Sequence, residues 1–205
     1  MRLPLNLPNA ITLLRLLCVP FLIALLLQHR NAAADGAPAA VLNGYRLAAL
    51  IVFVFGTVSD ALDGWLARHL RQRTALGTIL DPIADKLLLT AAILGISLPV
   101  GLPYRFPLWF PLIVISRDVL ITIGTFVVFM LRGGVEIRPT RLGKISTASQ
   151  MACVLAALLC IPELWATVLL VFTAVTTVVS GLQYIHRGLH LVHDEHGDAQ
   201  AQCTA

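Results

Sequence analysis

Four aspartates inside apolar sequence are the residues whose type and spacing best suggest chemistry. Among only eleven acidic residues in a chain of 205, they form two close pairs, namely Asp60, Asp63, Asp81 and Asp85. The members of each pair are three or four residues apart and therefore share one face of a helix. Because an ionised Asp costs about 2.5–3.5 kcal/mol at the centre of a bilayer, such a cluster needs compensating charge.

Divalent cations are the compensation that this cluster favours. Two divalent ions would balance four carboxylates, and hard oxygen ligands suit Mg²⁺ or Mn²⁺. Two-metal carboxylate sites hold the attacking and leaving oxygens in phosphoryl transfer. The two pairs therefore predict a site for two metal ions, with phosphoryl transfer as its chemistry.

The elements that position these acids are predicted to be membrane-spanning helices. The chain is 58% hydrophobic and only 13% charged, whereas soluble domains carry about 25% charged residues. This composition excludes a disordered chain and an ordinary soluble enzyme. Six apolar segments are long enough to cross a bilayer as helices, at about 9–28, 45–67, 76–99, 107–131, 144–162 and 163–185.

We therefore predict an all-α integral membrane bundle of six transmembrane helices, which forms a single domain over residues 1–205. Residues 1–8 are predicted to be an interfacial lead-in, with Asn9 capping the first span. Residues 186–205 are predicted to be a cytoplasmic tail.

Basic residues between the spans predict the orientation. The second and fourth loops are rich in Lys and Arg and the odd loops are poor, so the positive-inside rule places both termini in the cytoplasm. The membrane that the spans cross is expected to be the bacterial inner membrane. Both acid pairs would then lie roughly 8–14 Å from the cytoplasmic ends of adjacent helices, at a rise of 1.5 Å per residue. An alternative for Asp81 is simply to cap the third helix ahead of Pro82.

A second group of charged residues favours phosphate binding. Arg117 lies in the fourth span beside Asp118, and the fourth loop carries Arg138, Arg141 and Lys144. A buried Arg binds phosphate bidentately. The alternative is that Arg117 pairs with Asp118, but successive side chains diverge on a helix, so we expect a phosphate ligand. For the loop residues, membrane topology is an equally good explanation.

The signature in the second and third spans resembles that of the CDP-alcohol phosphatidyltransferases. From Asp60 to Asp85 the chain reads D-x2-D-G-x2-A-R-x8-G-x3-D-x3-D, and every defined position matches. The resemblance extends to the lead-in, the six spans and the basic fourth loop. It implies transfer of a phosphatidyl group from CDP-diacylglycerol to an alcohol, with release of CMP.

The resemblance also implies roles for the signature residues. The metal ligands would be Asp60, Asp63, Asp81 and Asp85, with Asp85 also acting as the base. Residues Asp60, Gly64, Ala67, Arg68 and Gly77 would bind CDP-diacylglycerol. The family is generally dimeric, so a homodimer in membrane lipid is expected, with no nucleic-acid partner.

The acceptor is expected to carry phosphate and to be of the glycerol type. It would be phosphatidylglycerol, giving cardiolipin, or glycerol 3-phosphate, giving phosphatidylglycerophosphate. Three stretches resemble slightly more closely the family members that use phosphatidylglycerol. They are Ser116-Arg117-Asp118 and the segments around Lys144 and Thr177.

An ion- or proton-coupled transporter is the main alternative, because intramembrane Asp residues also mark ion pathways. Such a protein would be expected to contain inverted repeats or broken helices. The sequence shows no internal repeat.

Overall fold

The computed structural model describes the backbone of residues 7–70, 75–99, 101–132 and 141–203, and the side chains of residues 13–59, 86–99, 101–125 and 141–186. Six helices account for most of these residues, and none of the residues described is in a strand. The helices are α1 (Leu7–Ala34), α2 (Ala39–Leu70), α3 (Ala75–Ser97), α4 (Trp109–Arg132), α5 (Arg141–Leu158) and α6 (Glu163–Cys203). The predicted all-α class is therefore confirmed.

The helix ends differ from the prediction at two places. Helix α1 already begins at Leu7, so Asn9 lies inside the helix and does not cap it, while the interfacial lead-in stays a prediction. Pro8 is tolerated because the first-turn N–H groups of a helix have no helical partner. Helix α6 continues to Cys203, beyond the predicted end of the last span at 185, and the cytoplasmic location of the tail stays a prediction.

Asp81 does not cap the third helix. Helix α3 begins at Ala75, more than one turn before Asp81, and Pro82 is accommodated inside the helix. The capping explanation for Asp81 is therefore wrong, and this acid needs another reason to lie in an apolar helix.

Three helices are long and apolar enough to cross a membrane, counting only the residues described. These segments are Leu13–Ala34, Ala39–Ser59 and Glu163–His186. Helix α3 contributes an apolar stretch over Lys86–Ser97 that is shorter than a span. The first turn of α5 contains two basic residues, Arg141 and Lys144. Helices α1, α2 and α6 thus have the length and composition that a span requires, and the bundle of six transmembrane helices stays a prediction.

The core is formed by two groups of helices that meet in one apolar cluster. Helix α1 packs against α2 and α3, while α6 packs against α4 and α5, and further contacts of α3 and α5 join the groups. Side chains from all six helices and from the α3–α4 connection are buried there, including Leu22, Phe53, Ile93, Phe106, Phe110, Val154 and Leu170.

Three connections lie at the same end of the bundle. In the α3–α4 connection, Gly101 adopts a positive φ of 76°, and a β-carbon there would approach Ala33 Cβ of α1 to 2.7 Å. Arg46 near the start of α2 donates to the Cys160 thiol between α5 and α6. Successive helices therefore run in opposite directions, and we call this end the Gly101 end.

Candidate active site

Helices α2 and α3 contact each other where Gly56 meets Leu88. A β-carbon at Gly56 would clash with Leu88 Cδ2, and the Leu88 side chain is buried. The Leu88 side chain therefore packs directly against the α2 backbone at Gly56, and an added β-carbon would force a shift at this contact. This contact joins α2 to α3.

The signature acids follow this contact away from the Gly101 end. They are Asp60, Asp63, Asp81 and Asp85. The first pair comes four and seven residues after Gly56 on α2, and the second pair three and seven residues before Leu88 on α3. Spacings of three, four and seven residues keep a residue on the same helix face. By spacing alone, all four acids are expected on the helix faces that continue the Gly56–Leu88 contact.

The side chains of the signature residues lie outside those that the structure describes. This applies to the four acids and to the predicted CDP-diacylglycerol residues Gly64, Ala67, Arg68 and Gly77. Residue Arg138 lies outside the described residues altogether. No group of three potential metal-ligating side chains occurs among the residues that are described.

A buried arginine lies at the level of the Gly56–Leu88 contact. Arg15 of α1 is only 1% exposed, and its Nε donates to the Gly56 carbonyl oxygen over 3.3 Å. Gly56 is one turn from Asp60, so a permanent positive charge lies close to the acidic signature. Arg15 was not among the predicted site residues. Its signal in the sequence is the one that singled out the acids, namely a charged residue inside an apolar span.

Arg117 is paired with its neighbour Asp118. Its Nη1 donates to Asp118 Oδ1 over 2.7 Å, and its Nη2 donates to Ser180 Oγ of α6 over 3.1 Å. Adjacent side chains therefore do not diverge here, contrary to expectation, because a long arginine side chain can turn back to the next residue. The phosphate-binding role of Arg117 stays a prediction.

Lys86 joins the same group from α3. Its ammonium lies 4.0 Å from Asp118 Oδ1 and donates to Thr122 Oγ1 over 3.3 Å. Asp118 thus lies between two cations from different helices, and Ser180 adds a third helix. We call Lys86, Arg117, Asp118 and Ser180 the charge cluster.

Arg141 and Lys144 lie in the first turn of α5, and both are exposed. Two residues beyond Lys144, Ser146 Oγ lies 2.9 Å from Thr177 Oγ1 on α6. Thr177 is three residues before Ser180, which contacts Arg117. The basic first turn of α5 and the charge cluster are therefore linked through one short stretch of α6.

A polar seam fixes α5 on α6. Buried Gln150 donates from its Nε2 to Thr177 Oγ1 over 3.2 Å and to Ser146 Oγ over 3.4 Å. One turn later on α5 and one turn earlier on α6, Cys153 Sγ and Thr173 Oγ1 are 3.1 Å apart. Such interhelical hydrogen bonds between small polar side chains stabilise helix pairs in membranes, so α5 holds its basic first turn in a fixed position.

Comparison with known proteins gives the family. The family model for CDP-alcohol phosphatidyltransferase matches residues 5–179 of this chain. The chain belongs to the CDP-alcohol phosphatidyltransferase family. It is therefore a membrane transferase of phospholipid biosynthesis, and the comparisons give no support to a transporter.

Individual relatives carry the names of two glycerol-type enzymes. A Bacillus subtilis protein named CDP-diacylglycerol--glycerol-3-phosphate 3-phosphatidyltransferase is 33% identical over 89% of this chain and 94% of its own length. A Pseudomonas fluorescens protein of the same name is 41% identical, over 43% of this chain and 39% of the relative. Human cardiolipin synthase (CMP-forming) is 32% identical over 68% of this chain and 52% of the relative.

Proposed function

We propose that this chain transfers the phosphatidyl group of CDP-diacylglycerol to a hydroxyl of a glycerol-type acceptor and releases CMP. The observation that carries the proposal is the Gly56–Leu88 contact within a complete family signature. Counted from this contact, the spacing of the acids supports two pairs on facing sides of α2 and α3. We take residues 1–205 as one catalytic membrane domain that acts as a homodimer.

The acids form a donor set that fits divalent cations. Four carboxylates at similar depth in apolar helices cannot all stay ionised without cations, and oxygen donors select Mg²⁺ or Mn²⁺. We assign Asp60, Asp63, Asp81 and Asp85 as ligands of two such ions. When bound, the ions would neutralise the diphosphate of the donor and support in-line displacement at phosphorus.

The remaining chemistry falls to residues of the chain. We assign Asp85 as the base that takes the proton from the acceptor hydroxyl as its oxygen attacks the phosphatidyl phosphorus. The bond from that phosphorus to the bridging oxygen breaks, and the oxygen leaves with CMP. Around the cytidine diphosphate we place Asp60, Gly64, Ala67, Arg68 and Gly77.

The acceptor phosphate is assigned to the basic residues of α4 and of the segment that leads into α5. They are Arg117, Arg138, Arg141 and Lys144. The positive end of the α5 dipole reinforces the charge of Arg141 and Lys144 in the first turn, and helix N-termini bind phosphate through free N–H groups. The seam between α5 and α6 connects this turn to the level of Arg117.

Glycerol 3-phosphate is the first acceptor to test, and phosphatidylglycerol is the second. The Bacillus subtilis relative named for glycerol 3-phosphate matches over 94% of its length. The human cardiolipin synthase matches over 52% of its length. The share of each relative's length that is matched thus favours glycerol 3-phosphate, whereas the sequence motifs slightly favour phosphatidylglycerol.

We place the acid pairs on the cytoplasmic side of the membrane, with both termini in the cytoplasm. The loops at the Gly101 end would then face outward. Both lipid substrates keep their acyl chains in the bilayer, while CMP and a soluble acceptor exchange with the cytoplasm.

The experiment uses the purified full-length chain in lipid nanodiscs with CDP-diacylglycerol and Mg²⁺ or Mn²⁺. Glycerol 3-phosphate and phosphatidylglycerol are supplied in separate reactions, and CMP and the lipid product are identified by mass spectrometry. We expect CMP in step with one new lipid, and none after chelation by EDTA. Absence of CMP with both acceptors and both metals would overturn the proposed function.

A further inference from the structure

The charge cluster holds more positive than negative charge. Lys86 and Arg117 are both within ion-pair distance of a single carboxylate, that of Asp118. Both Asp118 and Arg117 are largely buried, with side-chain exposures of 17% and 11%. A low-dielectric setting strengthens such interactions and makes an uncompensated charge costly. The cluster is therefore suited to receive one further anion.

The guanidinium of Arg117 is held in one orientation with one donor left over. Asp118 Oδ1 and Ser180 Oγ accept from its two terminal nitrogens. Its Nε is buried and has no hydrogen-bond partner among the residues that the structure describes. A buried donor without a partner carries a desolvation penalty, which a bound anionic oxygen would remove.

Asp118 is the residue on which this arrangement depends. It fixes the guanidinium from its own helix, and it draws Lys86 of α3 toward α4. Lys86 is the residue directly after Asp85 in α3. Asp118 thus ties the helix that bears two of the signature acids to the helix that bears Arg117.

We propose that Asp118 is a positioning residue for acceptor binding. By fixing Arg117 and drawing in Lys86, it orients a cationic site for the phosphate of the acceptor and keeps that site in register with α3. The inference rests on the proposed function for the identity of the acceptor. Asp118 itself does not touch the reacting atoms.

Asp118→Asn is the main test, because it keeps the shape of the side chain and removes its charge. We expect the KM for the acceptor to rise about tenfold, while the KM for CDP-diacylglycerol and kcat change less than about threefold. Asp118→Glu should recover part of the acceptor KM, because it restores the carboxylate. Thr125→Val is the matched control on α4, since Thr125 bonds to Tyr184 outside the cluster, and should match the wild type.

A double variant separates positioning from simple charge balance. If Asp118 served only to neutralise Lys86, the chain with both Lys86→Met and Asp118→Asn would regain the wild-type acceptor KM. We expect it to keep the raised KM, because Arg117 remains unheld. Recovery in the double variant, an unchanged acceptor KM in Asp118→Asn, or an equal rise in both KM values would overturn the proposal.

Binding of glycerol 3-phosphate, measured by isothermal titration calorimetry without the donor, keeps this test independent of turnover. We expect the Kd of Asp118→Asn to be about tenfold above that of the wild type and of Thr125→Val. Equal Kd values, or no binding to any of the three chains, would overturn the inference. A wild type that binds but releases no CMP with either acceptor would instead contradict the proposed function.

Discussion

At the scale of single residues, the account depends on acids that have no structural reason to lie in apolar helices. We expect Asp60→Asn to reduce CMP release at least about 100-fold, because even outer-shell partners of metal ligands cost about 10–100-fold when removed. Steady-state CMP formation in nanodiscs measures this. The folded state is checked by thermal unfolding in the same preparation.

Glu163→Gln is the matched control for a lost carboxylate. Glu163 is exposed in the first turn of α6, and its neighbour Thr167 contacts Tyr104 of the α3–α4 connection, so it lies at the Gly101 end. We expect activity within about twofold of the wild type. If both variants lost activity equally, the loss would reflect the removal of any charge and not of a ligand.

Residue type and spacing were enough to single out the four acids as candidate site residues. They were not enough to predict the contacts of the two buried arginines, Arg15 and Arg117. The members of each acid pair share a helix face because they are three or four residues apart, whatever the rest of the fold. The pairing of Arg117 with Asp118 depends instead on Ser180, which is 63 residues away in sequence and holds the second terminal nitrogen. Likewise, the contact of Arg15 with Gly56 spans 41 residues, and no local pattern encodes it.

At the scale of elements, the register of α2 against α3 is the feature that the site requires. We expect Gly56→Ala to lower stability by about 1–3 kcal/mol, because an added methyl overpacks against buried Leu88. It should also raise the Mn²⁺ concentration needed for half-maximal CMP release, since α2 must move away from α3. Chemical unfolding and Mn²⁺ titration of activity measure the two effects.

Gly44→Ala provides the control on the same helix. Gly44 is exposed, and a β-carbon there would meet no other atom within 4 Å. We expect no change in the Mn²⁺ requirement and a stability equal to or slightly above that of the wild type. A Gly56→Ala chain that behaved like Gly44→Ala would show that the close approach of α2 and α3 does not support the site.

Helix order was predictable because each apolar run is long enough for only one element. The ends were less predictable, since they depend on contacts and caps instead of on hydropathy. Pro8 lies inside α1 because a first turn tolerates proline. The start of α6 at Glu163 agrees with the prediction, since Pro162 and Glu163 interrupt the apolar sequence shortly after Cys160, whose φ is 53°.

At the scale of the whole molecule, the placement of basic residues predicts which end of the bundle faces the cytoplasm. Single-cysteine chains that keep either Cys160 or Cys203 test this orientation in intact cells. We expect a membrane-impermeant maleimide to label Cys160, in the α5–α6 turn, from outside, and Cys203 only after permeabilisation. Labelling of Cys203 in intact cells would reverse the orientation and place the acid pairs on the wrong side for CMP release.

The central claim is that acids from two helices bind a pair of divalent ions together. Electron paramagnetic resonance of free Mn²⁺ measures this directly when purified chain is titrated into the ion. We predict about two bound Mn²⁺ per wild-type chain, with binding lost or weakened in both Asp60→Asn of α2 and Asp81→Asn of α3. No bound Mn²⁺ in the wild type, or binding that depends on the acids of only one helix, would contradict the account.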